Sequence, residues 1–329
     1  RPKKNSLDYS LEPVSKKMTE IINQKVNFID EIYGKKVNAS IENSESKINL
    51  IENLRLHEGE LNNDDEFAKN VTFPFDTYIF DAFGASHRNH ASVVSFGKYL
   101  DSYQGPLMNN EIEQLDKLLV NEKTGYVVLL GGAKISDKLS LIDNLLPKVE
   151  HLLIGGGMCF TFLKSMGYEI GNSLLEDSFI SKANELLNSE HGHKIVLPSD
   201  FGVTELIESE LREDINIEDF RNNHIGIDIG PNTISAFASI LLSSKNIFWN
   251  GPMGVFEIDK FSKGTQEITE IIAKSSAYTC IGGGDSVSAI NKFSNIQYFN
   301  HISTGGGASL EYLEGKKLPG VNIYNSLII

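Results

Sequence analysis

Two lysines four residues apart close a glycine-led segment, Gly131-Gly132-Ala133-Lys134-Ile135-Ser136-Asp137-Lys138, directly after the apolar run 126–130. That spacing puts both ammonium groups on one face of a helix start, where they can follow a phosphate chain. Three more apolar runs empty into glycine triplets: Leu152-Leu153-Ile154 into Gly155-Gly156-Gly157, Thr279-Cys280-Ile281 into Gly282-Gly283-Gly284, and His301-Ile302-Ser303-Thr304 into Gly305-Gly306-Gly307. A short apolar run bounded by glycine reads as a buried parallel strand. Glycine then lets backbone N–H groups approach an anion before a helix begins. One such cluster is as readily an ordinary tight turn. Three together, with Asp285-Ser286 after the second, point to a phosphorylated ligand.

Such a ligand needs a local basic pocket, because the chain as a whole carries a net charge of −14. Arginine is scarce, five among 30 basic residues, and Arg1, Arg55 and Arg88 lie near the start. Two of them sit beside histidines, in Leu54-Arg55-Leu56-His57 and Ser86-His87-Arg88-Asn89-His90. A forked guanidinium suits carboxylate and phosphate oxygens. The acidic balance argues against nucleic acid and against an anionic membrane surface as partners.

The elements that must hold these residues are visible as alternation. Apolar runs at 48–51, 77–80, 126–130, 151–154, 194–197, 246–249 and 278–281 are separated by longer amphipathic stretches, as in parallel βαβ units. Residues 111–120 place Ile112, Leu115, Leu118 and Leu119 on one helical face and form a candidate joint between two lobes. With 329 residues, 40% of them hydrophobic, the chain can bury a substantial core across two domains. No apolar run of membrane-spanning length and no secretion signal is visible. Cys159 and Cys280 are far apart and lack metal-ligand neighbours, which fits a reducing cytoplasm and neither a disulfide framework nor a zinc site.

Several chemistries fail on spacing. The last glycine of G-x-G-x-x-G is replaced after each triplet, by Phe160, Val287 and Leu310, which disfavours a dinucleotide dehydrogenase. No Walker sequence occurs. Asp200-Phe201-Gly202 imitates a protein-kinase element without its companion loops.

Seven segments occur in an order that resembles phosphoglycerate kinase: Glu52-Asn53-Leu54-Arg55; Asp81-Ala82-Phe83-Gly84-Ala85-Ser86-His87-Arg88; the Gly131 to Lys138 segment; Gly155-Gly156-Gly157-Met158 with Phe160-Thr161-Phe162-Leu163-Lys164; Trp249-Asn250-Gly251-Pro252 with Gly254-Val255-Phe256-Glu257; Gly282-Gly283-Gly284-Asp285-Ser286; and Ser303-Thr304-Gly305-Gly306-Gly307-Ala308-Ser309. The resemblance runs from Arg1 to about Val321 and implies an α/β fold of two Rossmann-like parallel-sheet lobes around a cleft. By this resemblance, residues 1–103 form an incomplete phosphoglycerate-binding lobe onto which 304–329 returns, 104–122 a hinge helix, and 123–303 a nucleotide-binding lobe. The implied activity is reversible phosphoryl transfer between 1,3-bisphosphoglycerate and ADP, giving 3-phosphoglycerate and ATP in glycolysis. The family habit also implies a monomer.

Carried over by position, Arg1, Arg55 and Arg88 resemble ligands of the phosphoglycerate. Lys138 resembles the lysine that holds the nucleotide phosphates, and Lys134 the one that follows the transferred group. Glu257 resembles the acceptor for the ribose hydroxyls. Gly283, Gly284, Asp285 and Ser286 match the loop receiving the nucleotide phosphates and their Mg²⁺, with Asp285 reaching the metal through the nucleotide. Gly305, Gly306 and Gly307 match the helix start facing the travelling phosphoryl group. The family's opening strand and helix, its Arg-Val-Asp-Phe-Asn segment and a further arginine do not occur here. The chain therefore reads as a fragment of the enzyme that binds MgADP and transfers little, with unpaired strand edges and uncovered apolar faces in the first lobe. The alternative is a non-catalytic nucleotide-binding relative.

Overall fold

Among the described residues, strands pair only with partners from their own half, and the division falls at two places. In the computed structural model, which describes residues 7–119, 124–322 and 325–326, residues 1–109 with 317–329 form one unit and 110–316 the other. The first boundary lies inside a helix and the second at Lys317, later than the 304 expected from the sequence. The reason is Glu111, whose carboxylate accepts from His301 Nε2 (2.9 Å), Ser303 Oγ (2.8 Å), Thr304 N (2.6 Å) and Thr304 Oγ1 (2.7 Å), so the third glycine loop stays with the second unit.

In the first unit, α1 (Glu12–Ile22) leads to β1 (Val26–Ile29), and α2 (Lys35–Glu42) to β2 (Ile48–Ile51), which pairs parallel with β1. Two short helices, α3 (Glu58–Leu61) and α4 (Asp65–Thr72), precede β3 (Thr77–Phe80). This strand pairs parallel with β4 (Asp101–Gln104), and Asn325–Ser326 adds a parallel strand on the far side of β4. The core is Phe67, Ala68, Val71, Ala91 and Phe96. Among the described residues these strands form two separate sheets, and Ile79 on β3 remains 53% exposed.

Helix α5 (Pro106–Leu119) crosses the first boundary and enters the second unit. There β5 (Tyr126–Leu130), α6 (Leu139–Leu145), β6 (His151–Ile154), α7 (Cys159–Ser165), α8 (Ile180–Leu187) and β7 (Ile195–Val196) follow in turn. A small antiparallel sheet, β8 (Asp200–Thr204), β9 (Glu213–Asn216) and β10 (Ile225–Ile229), comes next. Then α9 (Pro231–Ser243), β11 (Asn246–Asn250), α10 (Lys263–Lys274), β12 (Tyr278–Gly282), α11 (Gly284–Phe293), β13 (His301–Ile302) and α12 (Gly307–Leu313) complete the unit.

The main sheet is parallel throughout, in the order β13-β12-β11-β5-β6-β7. Its central strands are apolar on both faces because helices cover both. Trp249, Phe237, Leu241, Ile268, Ile272 and Ile290 pack in one cluster, and each such buried side chain contributes about 1.5–3 kcal/mol. From β5 the chain steps outward to β6 and β7, then returns to β11 on the other side. That reversal between β5 and β11 is where open α/β sheets form a crevice beyond their carboxyl ends.

Candidate active site

All the glycine loops leave the carboxyl ends of β5, β6, β11, β12 and β13, and they interlock backbone to backbone. Gly131 N donates to Asn250 O (3.0 Å), Gly132 N to Pro252 O (3.0 Å) and Gly156 N to Met253 O (3.0 Å). A side chain on Gly131 would overlap the Pro252 carbonyl, and Gly251 holds φ +97° against the Gly131 carbonyl. Here glycine is required by close approach, not by a ligand.

Beyond these crossings lies a basin of about 460 Å³. Lys134, Lys138, Gly283, Gly284, Asp285 and Ser286 line it, and so do Gly306 and Gly307. At Gly132, Gly284, Gly306 and Gly307 a Cβ would meet nothing within 4 Å; Gly132 (φ +102°) and Gly306 (φ +54°) are required by their left-handed backbone, whereas Gly284 and Gly307 leave backbone facing open space where a side chain would fit. Helix α11 begins at Gly284 with no side-chain cap, so its first N–H groups and the positive end of its dipole lie at the basin, with Asp285 the acidic residue of its first turn. Gly305 is buried behind this wall, its N–H bound to Ser303 Oγ (3.2 Å).

The two lysines share the basin but not a helix. The chain turns through 135–138, with Lys138 N donating to Ile135 O (2.9 Å), and α6 starts only at Leu139. The glycine pair opens this turn and brings the ammonium groups in without helical spacing. Burial draws the Lys138 ammonium down to about 8, with Asp137 and Asp285 opposing the shift. Lys134 is exposed. The Ser286 hydroxyl is buried and accepts from Gly251 N (2.7 Å), tying the loop after β12 to the loop after β11.

A second cleft adjoins the basin, sharing Gly132, Ala133 and Asp285 with it. It is largely apolar, walled by Phe160, Leu174, Phe201, Ile227, Met253 and Val255, with Glu257 at its edge. None of these apolar residues is legible as a site from sequence, since each reads as core. Asn250 was also missed: it lines the basin, and its buried Oδ1 has no hydrogen-bond partner. Its position inside Trp249-Asn250-Gly251-Pro252 was the available signal. Asp200, in the kinase-like triplet, is a helix cap, accepting from Asn232 N (2.8 Å) and Thr233 N (2.7 Å).

The first unit gathers its own basic group. Arg55 lies in a 3₁₀ turn capped by Asn53, whose Oδ1 accepts from Arg55 N (3.1 Å), and His57 stacks on Phe67 with centroids 4.6 Å apart. Arg55, Arg88 and His87 all act on His90: burial lowers its pKa first, Glu60 opposes, and these three charges lower it further. Glu60 is buried, accepts from Ser92 N (2.9 Å) and Ser92 Oγ (2.7 Å), and lies 3.5 Å from His90 Nδ1. His90 and Glu60 were not anticipated from the sequence. Arg1 lies outside the described residues.

A family model described as phosphoglycerate kinase matches residues 1–316. The chain is 47% identical over 330 aligned residues to a phosphoglycerate kinase of Thermosipho africanus, covering 98% of this chain and 82% of that protein. With the enzyme of Finegoldia magna the identity is 48%, over 96% of this chain and 81% of the relative. A solved phosphoglycerate kinase from Coxiella burnetii superposes with a TM-score of 0.88 at 36% identity, covering 98% of this chain and 83% of that one.

Proposed function

The chain belongs to the phosphoglycerate kinase family, and on that premise we propose that the glycine-lined basin receives the nucleotide phosphates and the adjoining apolar cleft the base and ribose. The reaction is the family's: reversible transfer of a phosphoryl group between 1,3-bisphosphoglycerate and ADP, giving 3-phosphoglycerate and ATP, with a carboxyl group as acceptor. The observation that carries the site reading is the basin that Lys134, Lys138 and Asp285 share with the start of α11, where Gly284 and Gly307 leave open space that neither packing nor backbone conformation requires.

Phosphoryl transfer passes through a loose transition state, so alignment and charge neutralisation matter more than a protein nucleophile. Each residue then has a task that its surroundings support. Lys138, partly desolvated, holds the phosphates already present in the nucleotide. Lys134, exposed on a turn, follows the group in flight. The uncapped start of α11 donates N–H groups to the phosphates, and Ser286 keeps the neighbouring loop in place through Gly251. Gly306 and Gly307 leave backbone clear for the travelling group, with Gly305 buried behind them and held by Ser303. Glu257 accepts from the ribose hydroxyls. Arg55 and Arg88, with Arg1, bind the phosphoglycerate.

Mg²⁺ fits this donor set as a metal brought by the nucleotide. No group of three His, Cys, Asp or Glu that could hold an ion occurs among the described residues, yet Asp285 presents a carboxylate inside an anion-binding basin. Mg²⁺ is commonly bound through one carboxylate and substrate phosphates, and when bound it neutralises phosphate charge. The first unit, 1–109 with 317–329, as the acceptor lobe, α5 as the hinge and the second unit, 110–316, as the nucleotide lobe belong to this proposal, as do a monomeric state and a cytoplasmic location. No helix among the described residues is long and apolar enough to cross a membrane. Calorimetric titration of MgADP tests the site: Lys138→Ala is expected to weaken binding roughly tenfold or more, the loss of one charged hydrogen bond. Equal affinity would remove Lys138 from the phosphate site.

A further inference from the structure

Arg212 lies outside both cavities described above as the nucleotide site, yet its side chain is only 11% exposed and laces three strands together. Its Nε donates to Asp214 Oδ1 (2.8 Å) on β9, its Nη1 to Asp228 Oδ2 (2.7 Å) on β10, and its Nη2 to the Ile229 carbonyl (3.0 Å). The guanidinium lies over Gly202 on β8, where a Cβ would come within 2.6 Å of its Cζ. Asp228 is buried, and its Oδ2 also accepts from Gly264 N in the first turn of α10. Its Oδ1 has no hydrogen-bond partner and packs against Gly254 and Gly264, where any side chain would collide with it.

Asp228 therefore belongs to the wall of the apolar cleft. Gly226, Ile227 and Asp228 form one stretch of its wall and Gly254 with Val255 the next, the two joined by Val255 N donating to Ile227 O (2.7 Å). The stretch through Gly254 and Val255 continues to Glu257. We propose that Arg212 is a positioning residue for nucleotide binding: by holding Asp228 it fixes the cleft wall against which the base and ribose lie. This rests on the reading of the cleft given above. Without the guanidinium, the buried carboxylate would keep only backbone N–H groups, those of Gly264 and Ile229, and no cation. Burial already pushes its carboxyl up to about 6, with Arg212 opposing, and an unpaired buried charge draws in a proton or water. Either response changes the volume between β10, α10 and the Gly254 turn. The phosphate basin has no lining residue from β8, β9 or β10, so it should be untouched.

That separation gives the test. MgADP, which would fill basin and cleft, and magnesium pyrophosphate, which would fill the basin alone, are titrated calorimetrically into the wild-type chain, Arg212→Met, Arg212→Lys and Arg212→Met/Asp228→Asn. Arg212→Met is expected to weaken MgADP binding about tenfold, in line with coupling between adjacent buried charges, with pyrophosphate affinity within about twofold of wild type. The double variant, which neutralises both partners, should recover most of the loss. Should Arg212→Met fail to fold, Arg212→Lys carries the same comparison, since lysine keeps the charge and loses the fork. Unchanged MgADP affinity, or equal loss of both ligands, would overturn the proposal. A wild-type chain that binds MgADP no more tightly than pyrophosphate would overturn the assignment of the cleft itself, and this inference with it.

Discussion

Replacing Glu111 by Gln should destabilise the second unit. The carboxylate is 1% exposed and accepts from four donors, on His301, Ser303 and twice on Thr304, at 2.6 to 2.9 Å. Glutamine keeps the shape but offers one acceptor oxygen and turns an NH₂ toward the remaining donors. About two buried donors then lose their partner, at about 1–3 kcal/mol each, and hydroxyl rotation relieves part of this, leaving about 3 kcal/mol. Burial raises the Glu111 carboxyl, but hydrogen bonds from His301, Thr304 and Ser303 outweigh it and hold the group below its ordinary 4.5. A carboxyl lowered in the folded state stabilises fully above its unfolded value and loses that contribution as pH falls through the folded value. The gap between wild type and variant should therefore be full at neutral pH and narrow below about 4.5. Trp249, the single tryptophan, is fully buried in this unit, so its fluorescence follows the relevant transition. For a domain of this size 3 kcal/mol corresponds to roughly 6–12 °C in Tm. A shift under about 2 °C at pH 7, or a gap that widens in acid, would refute the reasoning.

Three further outcomes are expected. Glu257→Ala should weaken MgADP binding by about 1–3 kcal/mol in calorimetry, because the ribose hydroxyls lose a charged acceptor; unchanged affinity removes it from the site. Lys134→Ala should lower kcat by about 10²–10³-fold in an assay coupling 3-phosphoglycerate phosphorylation to a chromogenic step, with MgADP affinity nearly unchanged, since its contact strengthens in the transition state. The reverse pattern would mean that Lys134 and Lys138 exchange roles. Gly284→Ala should leave Trp249 unfolding unchanged or raise it by up to about 1 kcal/mol, as helix propensity gains, while the new methyl group crowds the basin and weakens magnesium pyrophosphate roughly tenfold. Equal pyrophosphate affinity would show that α11 does not face the phosphates.

The buried parallel strands were legible because helices on both faces require uninterrupted apolar runs: β5 reads Tyr-Val-Val-Leu-Leu and matches its expected bounds. Strands that lack a buried apolar face were not. Strand β9 reads Glu-Asp-Ile-Asn, half exposed, and β4 reads Asp-Ser-Tyr-Gln, so neither carries an apolar period that separates it from a loop. Within the site, glycine and lysine declared themselves because few structural needs place three glycines after a strand. The cleft did not, because Phe160, Leu174, Phe201 and Met253 come from separate elements and converge only in three dimensions. Asp228 did leave a trace, a lone carboxylate between Ile227 and Ile229 in an otherwise apolar strand.

The most direct test of the nucleotide site is a crystal structure of the chain with MgADP. The expected result places the phosphates between Lys138 and the Gly283 to Ser286 loop, the ribose within hydrogen-bonding reach of Glu257, and the base against Ile227 and Val255. Phosphates bound away from the glycine loops, or a base outside the cleft walled by β10, would contradict it.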